Sequence, residues 1–121
     1  RQYFQEAGLV DNPVKLPEAV YAASAGAEQH NHHVYNQFVI LVPERDTLRE
    51  YLQQHSIGSE IYYPLSLHQQ ECLYAENYQQ FSYPVAEHAA AHSLALPIFP
   101  ELTPEQLSYV VETVEQFYRT R

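Results

Sequence analysis

Lysine is almost missing from this chain. Lys15 is the only one in 121 residues, so any Schiff-base or phosphate-loop lysine would have to be that residue. It stands in "DNPVKLPE", between two prolines and without a glycine-rich partner, and reads as a solvated loop lysine. Cysteine is equally scarce. A single Cys72 excludes an internal disulfide and agrees with a reducing compartment, so a cytoplasmic location is expected. Positive charge is low too: six basic against fifteen acidic side chains give −9, which argues against nucleic acid and anionic membranes as partners. No apolar run approaches the roughly 20 residues of a membrane span. There are no repeats, no low-complexity tail and no signal-peptide core in "RQYFQEAGLV". Because the sequence opens on Arg1 without a methionine, it reads as a fragment or a processed chain.

What is present suffices for one domain. Hydrophobic content is 45%, too high for disorder over most of the length. A chain of this size buries about two thirds of its unfolded surface. "RQYFQEAG" reads as the last turns of a helix with Gly8 as its C-cap. Residues 9–33 then read as a long connection, mobile around Ser24 to His33. "HVYNQFVILVP" predicts a strand, with the run at 38–42 buried on both faces. "ERDTLREYLQQHSIG" predicts a helix ending at a left-handed Gly58, and "EIYYP" a short strand closed by Pro64. An irregular stretch follows from Leu65 to Tyr83. "YPVAEHAAAHS" predicts a helix with Pro84 in its first turn, and "LALPIF" a strand with Pro97 at a sheet edge. The last helix is the clearest: Thr103 caps it, Pro104 occupies N1, Gln106 completes a capping box, and Leu107, Val110, Val111, Val114, Phe117 and Tyr118 form one apolar stripe. The order implies an α+β domain, a sheet of about three strands covered by helices on one face. Residues 1–33 would be a connecting helix end and flexible loop, and 34–121 the folded domain.

Three groups of side chains are candidates for chemistry. "HNHH" at 30–33, and His88 with His92 at i, i+4, have metal-ligand residue types. Both groups lack the accompanying cysteine or carboxylate pattern, so no metal is expected, and a solvent-facing helix surface explains the second pair. Cys72 follows His68 by four residues, but a catalytic Cys–His pair is assembled from distant segments and needs an orienting group. A small, partly buried side chain is the plainer reading of Cys72. "IYYPLSLHQQ" makes a stronger case. Tyr62 and Tyr63 would end a strand on opposite faces, and Pro64 would throw His68 and Gln70 outwards, where binding groups collect. The residues alone leave a binding surface and an ordinary loop equally open.

A resemblance favours the binding surface. Tyr35-Asn36-Gln37-Phe38, Arg45-Asp46-Thr47-Leu48, Ile57-Gly58, Tyr62-Tyr63-Pro64, Leu67-His68-Gln69-Gln70, Ala86-Glu87 and the run Leu94 to Thr103 follow one another in the order and spacing of a known pattern. Over residues 34–118 the chain resembles the C-terminal domain of the nucleotide-sugar aminotransferases, the DegT/StrS-type members of the fold-type-I pyridoxal-phosphate enzymes. Phe38 stands where tyrosine is usual, Ser66 replaces a frequent proline, and the glycine beside Ile57 only follows it.

The resemblance implies a parent homodimer that moves an amino group from glutamate to a keto-sugar nucleotide. Its Schiff-base lysine, its aspartate to the pyridine nitrogen and its phosphate-binding groups would lie in an upstream large domain. This chain would be the small domain, catalytically incomplete alone and holding no pyridoxal phosphate of its own. Tyr62, Tyr63, His68, Gln70, Asn36 and Gln37 would line the sugar-nucleotide pocket, where tyrosine faces stack on rings and amide tips bond hydroxyls. His68 would either meet a phosphate oxygen or pin its loop. Without the large domain, the 62–70 segment and the first helix around Tyr3 and Phe4 would be exposed. Two other readings stand beside this one: a stand-alone interaction module, and a small hydrolase using Cys72 and His68.

Overall fold

The computed structural model describes residues 1–22 and 33–120. Most of the expected mobile connection, and His30 and His32 of "HNHH", lie outside the described residues.

Helix α1 (Gln2–Glu6) ends as its glycine foretells. Gly8 is left-handed at φ +67°; its N–H donates to the Gln5 carbonyl at 3.0 Å, and the Leu9 N–H to that of Phe4 at 3.1 Å. This paired closure satisfies carbonyls that the short helix would leave orphaned, and Leu9 and Phe4 are both buried beside it. Phe4 therefore does not belong to an exposed patch as expected, and Tyr3 is half-buried.

The sheet has two strands, not about three. Strand β1 (Phe38–Leu41) pairs antiparallel with β2 (Ser93–Leu96), Phe38 opposite Leu96 and Ile40 opposite Leu94. Those four share one face and pack into the core, while Val39 and Leu41 on the other face stay half-exposed, so β1 is not buried on both sides. Each outer edge carries one further bridge: Lys15 with Leu41 beside β1, and Glu60 with Ala95 beside β2. The expected "EIYYP" strand is reduced to that Glu60 bridge. In that antiparallel register the next pairing position, Tyr62, would face Ser93, and no backbone hydrogen bond joins the two.

Helix α2 (Arg45–Gln54) buries Leu48 and Leu52 completely. Its C-terminal residue in the left-handed region is Ser56, at φ +59°, rather than Gly58. The Ile57 N–H donates to the Leu52 carbonyl at 2.9 Å, and Ile57 is buried. The apolar contact of Ile57 with the core thus sets where the helix stops, and overrides the glycine two residues on. The Leu65–Tyr83 stretch, expected to be irregular, forms three short 3-10 segments, Leu67–Gln69, Glu71–Glu76 and Tyr78–Gln80.

Helix α3 (Pro84–His92) runs directly into β2, and α4 (Pro104–Arg119) closes the chain. The α4 capping box is formed in both directions: Gln106 N–H to Thr103 Oγ1 at 3.3 Å, and Thr103 N–H to Gln106 Oε1 at 3.0 Å. Val111, Val114 and Phe117 meet Leu48, Leu52, Phe4 and the inner face of the sheet in one core; Val110 and Tyr118 flank it and Leu107 lies at its margin. Leu9, Val14 and Leu16 join the same core from the segment before residue 33.

Candidate functional site

Of the six candidate binding residues, three converge. Asn36 and Gln37 lie just before β1, and Tyr62 two residues past the Glu60 bridge beside β2. With Gly58, Ser59 and Glu60 they line a depression of about 290 Å³ whose floor is Ala95, Leu96 and Pro97. Two carboxamides and a phenol supply donors and acceptors without net charge, and the ring offers an apolar face. That chemistry suits hydroxyl groups on a ring. The Glu60 carboxylate at its wall has the Arg49 guanidinium 3.8 Å away. Tyr63 packs edge-on to Tyr62, ring centres 6.1 Å apart, and is 71% exposed.

His68 and Gln70 stand apart from this depression. His68 points inwards instead of being thrown outwards. It is only 7% exposed, its Nε2 lies 3.1 Å from Glu87 Oε1, and its ring meets Tyr83 edge-on at 4.9 Å. This bond joins the Leu67–Gln69 turn to α3. Gln70 is half-buried at the junction of two 3-10 segments, where its Oε1 accepts weakly from the Cys72 thiol at 3.9 Å. Cys72 is exposed rather than partly buried, and His68 is engaged with Glu87, so the two do not form a nucleophile–base pair.

A larger cavity, about 540 Å³, opens elsewhere, between α1, α4 and the Ile98–Pro100 turn. Its walls are Tyr3, Phe38, Ile98, Phe99 and Val110, with Arg1 at the rim donating to the Pro17 carbonyl. Its lining is mostly apolar, with Tyr3, Tyr35 and Arg1 as the polar members, and it holds none of the six candidate residues, three of which the smaller depression gathers.

The rings of His88 and His92 stack at 4.0 Å, and His92 Nδ1 bonds the His88 carbonyl at 2.8 Å. Among the described residues no group of three or more His, Cys, Asp or Glu side chains could hold a metal ion.

Two residues of structural weight had no role in the sequence reading. Arg45 is buried, and its Nη1 donates to the carbonyls of Ala90 and Ser93, both at 3.1 Å, while Nε meets Asp46 at 2.7 Å. It ties the start of α2 to the α3–β2 junction. Glu87 bonds His68 and also accepts the Tyr83 N–H at 2.7 Å. It lies four residues after the N-cap Tyr83, one position beyond the capping-box place, so the capping rule did not point to it.

The sequence profile of the DegT/DnrJ/EryC1/StrS aminotransferase family matches residues 14–115. The chain is 44% identical over 88 residues to a pleiotropic regulatory protein of Geobacillus stearothermophilus, covering 73% of this chain and 24% of that one. It is 40% identical over 108 residues to UDP-N-acetyl-3-dehydro-alpha-D-glucosamine 3-aminotransferase of Acidithiobacillus ferrooxidans, covering 89% and 27%. Among solved structures, S. venezuelae DesV in complex with a ketimine intermediate superposes with a TM-score of 0.74 at 26% identity, over 96% of this chain and 29% of that one. A DegT DnrJ EryC1 StrS aminotransferase from Brucella abortus gives 0.69 at 30% identity, over 97% and 28%. The chain therefore spans about a quarter of the length of the curated relatives it matches.

Proposed function

Because the chain belongs to the DegT/DnrJ/EryC1/StrS aminotransferase family, we propose that it serves as the small domain of a pyridoxal-phosphate-dependent enzyme that transfers an amino group from glutamate to a keto-sugar nucleotide. The observation that carries this reading is the polar depression of Asn36, Gln37 and Tyr62 within a segment that matches the family from residue 14 to 115. In this reading the two carboxamides hold sugar hydroxyls, the Tyr62 ring stacks on the substrate, and Tyr63 and Gln70 meet it outside the depression. His68 holds the segment in place from behind. The parent enzyme works as a homodimer.

The chain's own residues do not fit pyridoxal phosphate. The amine of Lys15, the only lysine, is beside a shallow hollow of Leu16, Pro17, Glu18, Val20, Val39 and Leu41. Among the described residues that hollow has no second cation for a phosphate, and the Glu18 carboxylate there is opposite in charge to what a phosphate needs. No catalytic step is assigned to this chain.

The test is a chimera of the Acidithiobacillus ferrooxidans relative in which the matching region is replaced by residues 14–115 of this chain. It should transfer the amino group to that enzyme's keto-sugar nucleotide, whereas the chain alone with pyridoxal phosphate should neither do so nor develop a stable aldimine absorbance. A folded chimera with bound cofactor and no transfer would refute the proposal. One observation favours a second reading, the 44% identity to a protein named as a regulator: a binding module without turnover. Tight sugar-nucleotide binding by the chain alone, with an inactive chimera, would support it.

A further inference from the structure

The anchoring of the Tyr62–Gln70 segment is sparse. Glu60 pairs with Ala95, and Ile61 packs against the core. From Tyr62 to Leu65 the chain makes no backbone hydrogen bond among the described residues, and all four residues are exposed. The next fixed point is the turn Leu67–Gln69, held by Gln69 N–H to the Ser66 carbonyl at 2.9 Å and Gln70 N–H to that of Leu67 at 3.2 Å. Ser66 and His68 are the buried residues of that turn, and the side-chain hydrogen bond that joins it to α3 runs from His68 to Glu87.

Glu87 Oε1 accepts from two segments at once, the His68 ring at 3.1 Å and the Tyr83 N–H at 2.7 Å. A carboxylate oxygen has the lone pairs for both, and charge assistance strengthens each bond. Residues 68 and 83 bound a loop whose tip carries exposed Tyr74, Tyr78 and Phe81. Holding both ends at one atom removes closure entropy that the exposed tip does little to offset. Tyr83 also stands edge-on to the His68 ring, so the same atom sets the orientation of both aromatic groups.

We propose that Glu87 is a positioning residue: through His68 and Tyr83 it sets where the Tyr62–Gln70 segment stands relative to the depression of Asn36, Gln37 and Tyr62. For substrate binding this rests on the reading above that the segment faces a sugar nucleotide; the pin itself does not. It separates two roles within one stretch of sequence, Tyr62 and Tyr63 meeting the ligand and His68 holding them from inside.

Amide hydrogen exchange on this chain tests the pin without any substrate. In Glu87→Ala, Gln69 and Gln70 should exchange about tenfold faster while the α2 and α4 amides stay unchanged, since loss of a bond to a charged group is of that size. Glu87→Gln keeps a neutral acceptor and should lie between that variant and the wild type. It also decides the matter if Glu87→Ala loses the fold. Wild-type exchange at Gln69 and Gln70 in both variants would overturn the pin. In the chimera, Glu87→Ala should raise KM for the keto-sugar nucleotide about tenfold, leave the glutamate half-reaction rate unchanged, and be largely rescued by Glu87→Gln. An unchanged KM would overturn the positioning role. A chimera that transfers nothing counts against the proposed function, and the exchange result still decides the pin.

Discussion

Single residues hold this small domain together at places where the sequence shows only a charge or a phenol. Arg45 is the main case. Its guanidinium is buried and serves two carbonyls at the α3–β2 junction. Arg45→Ala should lower stability by about 2–3 kcal/mol in urea unfolding, because two buried carbonyls lose charged donors at once. A loss below about 0.5 kcal/mol, the range of ordinary surface changes, would show that these bonds do not hold the junction. Tyr118 is a second case. Its hydroxyl donates to the Pro43 carbonyl at 2.8 Å, and burial pushes its phenol up from 10.0 to about 12. The folded state therefore keeps the proton that the unfolded state loses first. The contribution is complete below pH 10 and is lost as pH rises towards about 12. Stability measured across that window should fall less steeply in Tyr118→Phe than in the wild type. Parallel curves would remove Tyr118 as the cause.

Elements were legible in the sequence where a local rule and the core agreed. Thr103, Pro104 and Gln106 stand in α4 as the capping box requires, and Gly8 closes α1 because Leu9 and Phe4 are buried beside it. Legibility failed where a long-range contact decided. Ser56 took the left-handed position from Gly58 because Ile57 reaches the core. "EIYYP" keeps only the Glu60–Ala95 bridge, because from Tyr62 on the chain leaves β2 without a backbone hydrogen bond. Of the candidate residues, Asn36, Gln37 and Tyr62 line one depression. The inward turn of His68 was not visible, since Glu87 lies nineteen residues away in sequence. For α4 the consequence is quantitative. Val114 is fully buried, so Val114→Asp should cost several kcal/mol, against well under about 1 kcal/mol for Glu112→Ala on the exposed face. Equal losses by thermal unfolding would mean that the helix faces the other way.

At the scale of the whole molecule, the balance is between charge and exposed aromatic surface. Tyr63, Leu67, Tyr74, Tyr78, Phe81 and Tyr83 leave the 62–83 segment unusually apolar for a surface, while the net charge is −9. Salt screens that repulsion beyond about 8 Å at physiological ionic strength. The isolated chain should therefore self-associate weakly, more so as salt rises. A strict monomer by sedimentation at both low and high salt would count against the exposed segment as an adhesive surface. In the proposed parent enzyme the same segment faces the substrate, and the fold's task is to hold it there with a two-stranded sheet, one buried arginine and one carboxylate. The most direct measurement of that claim is the KM of the chimera for its keto-sugar nucleotide when Asn36→Ala, Gln37→Ala and Tyr62→Phe are made together. The expected result is a rise of at least about tenfold, from the loss of two or more hydrogen bonds, with the glutamate half-reaction unchanged. An unchanged KM for the sugar nucleotide, in a variant that still folds, would contradict it.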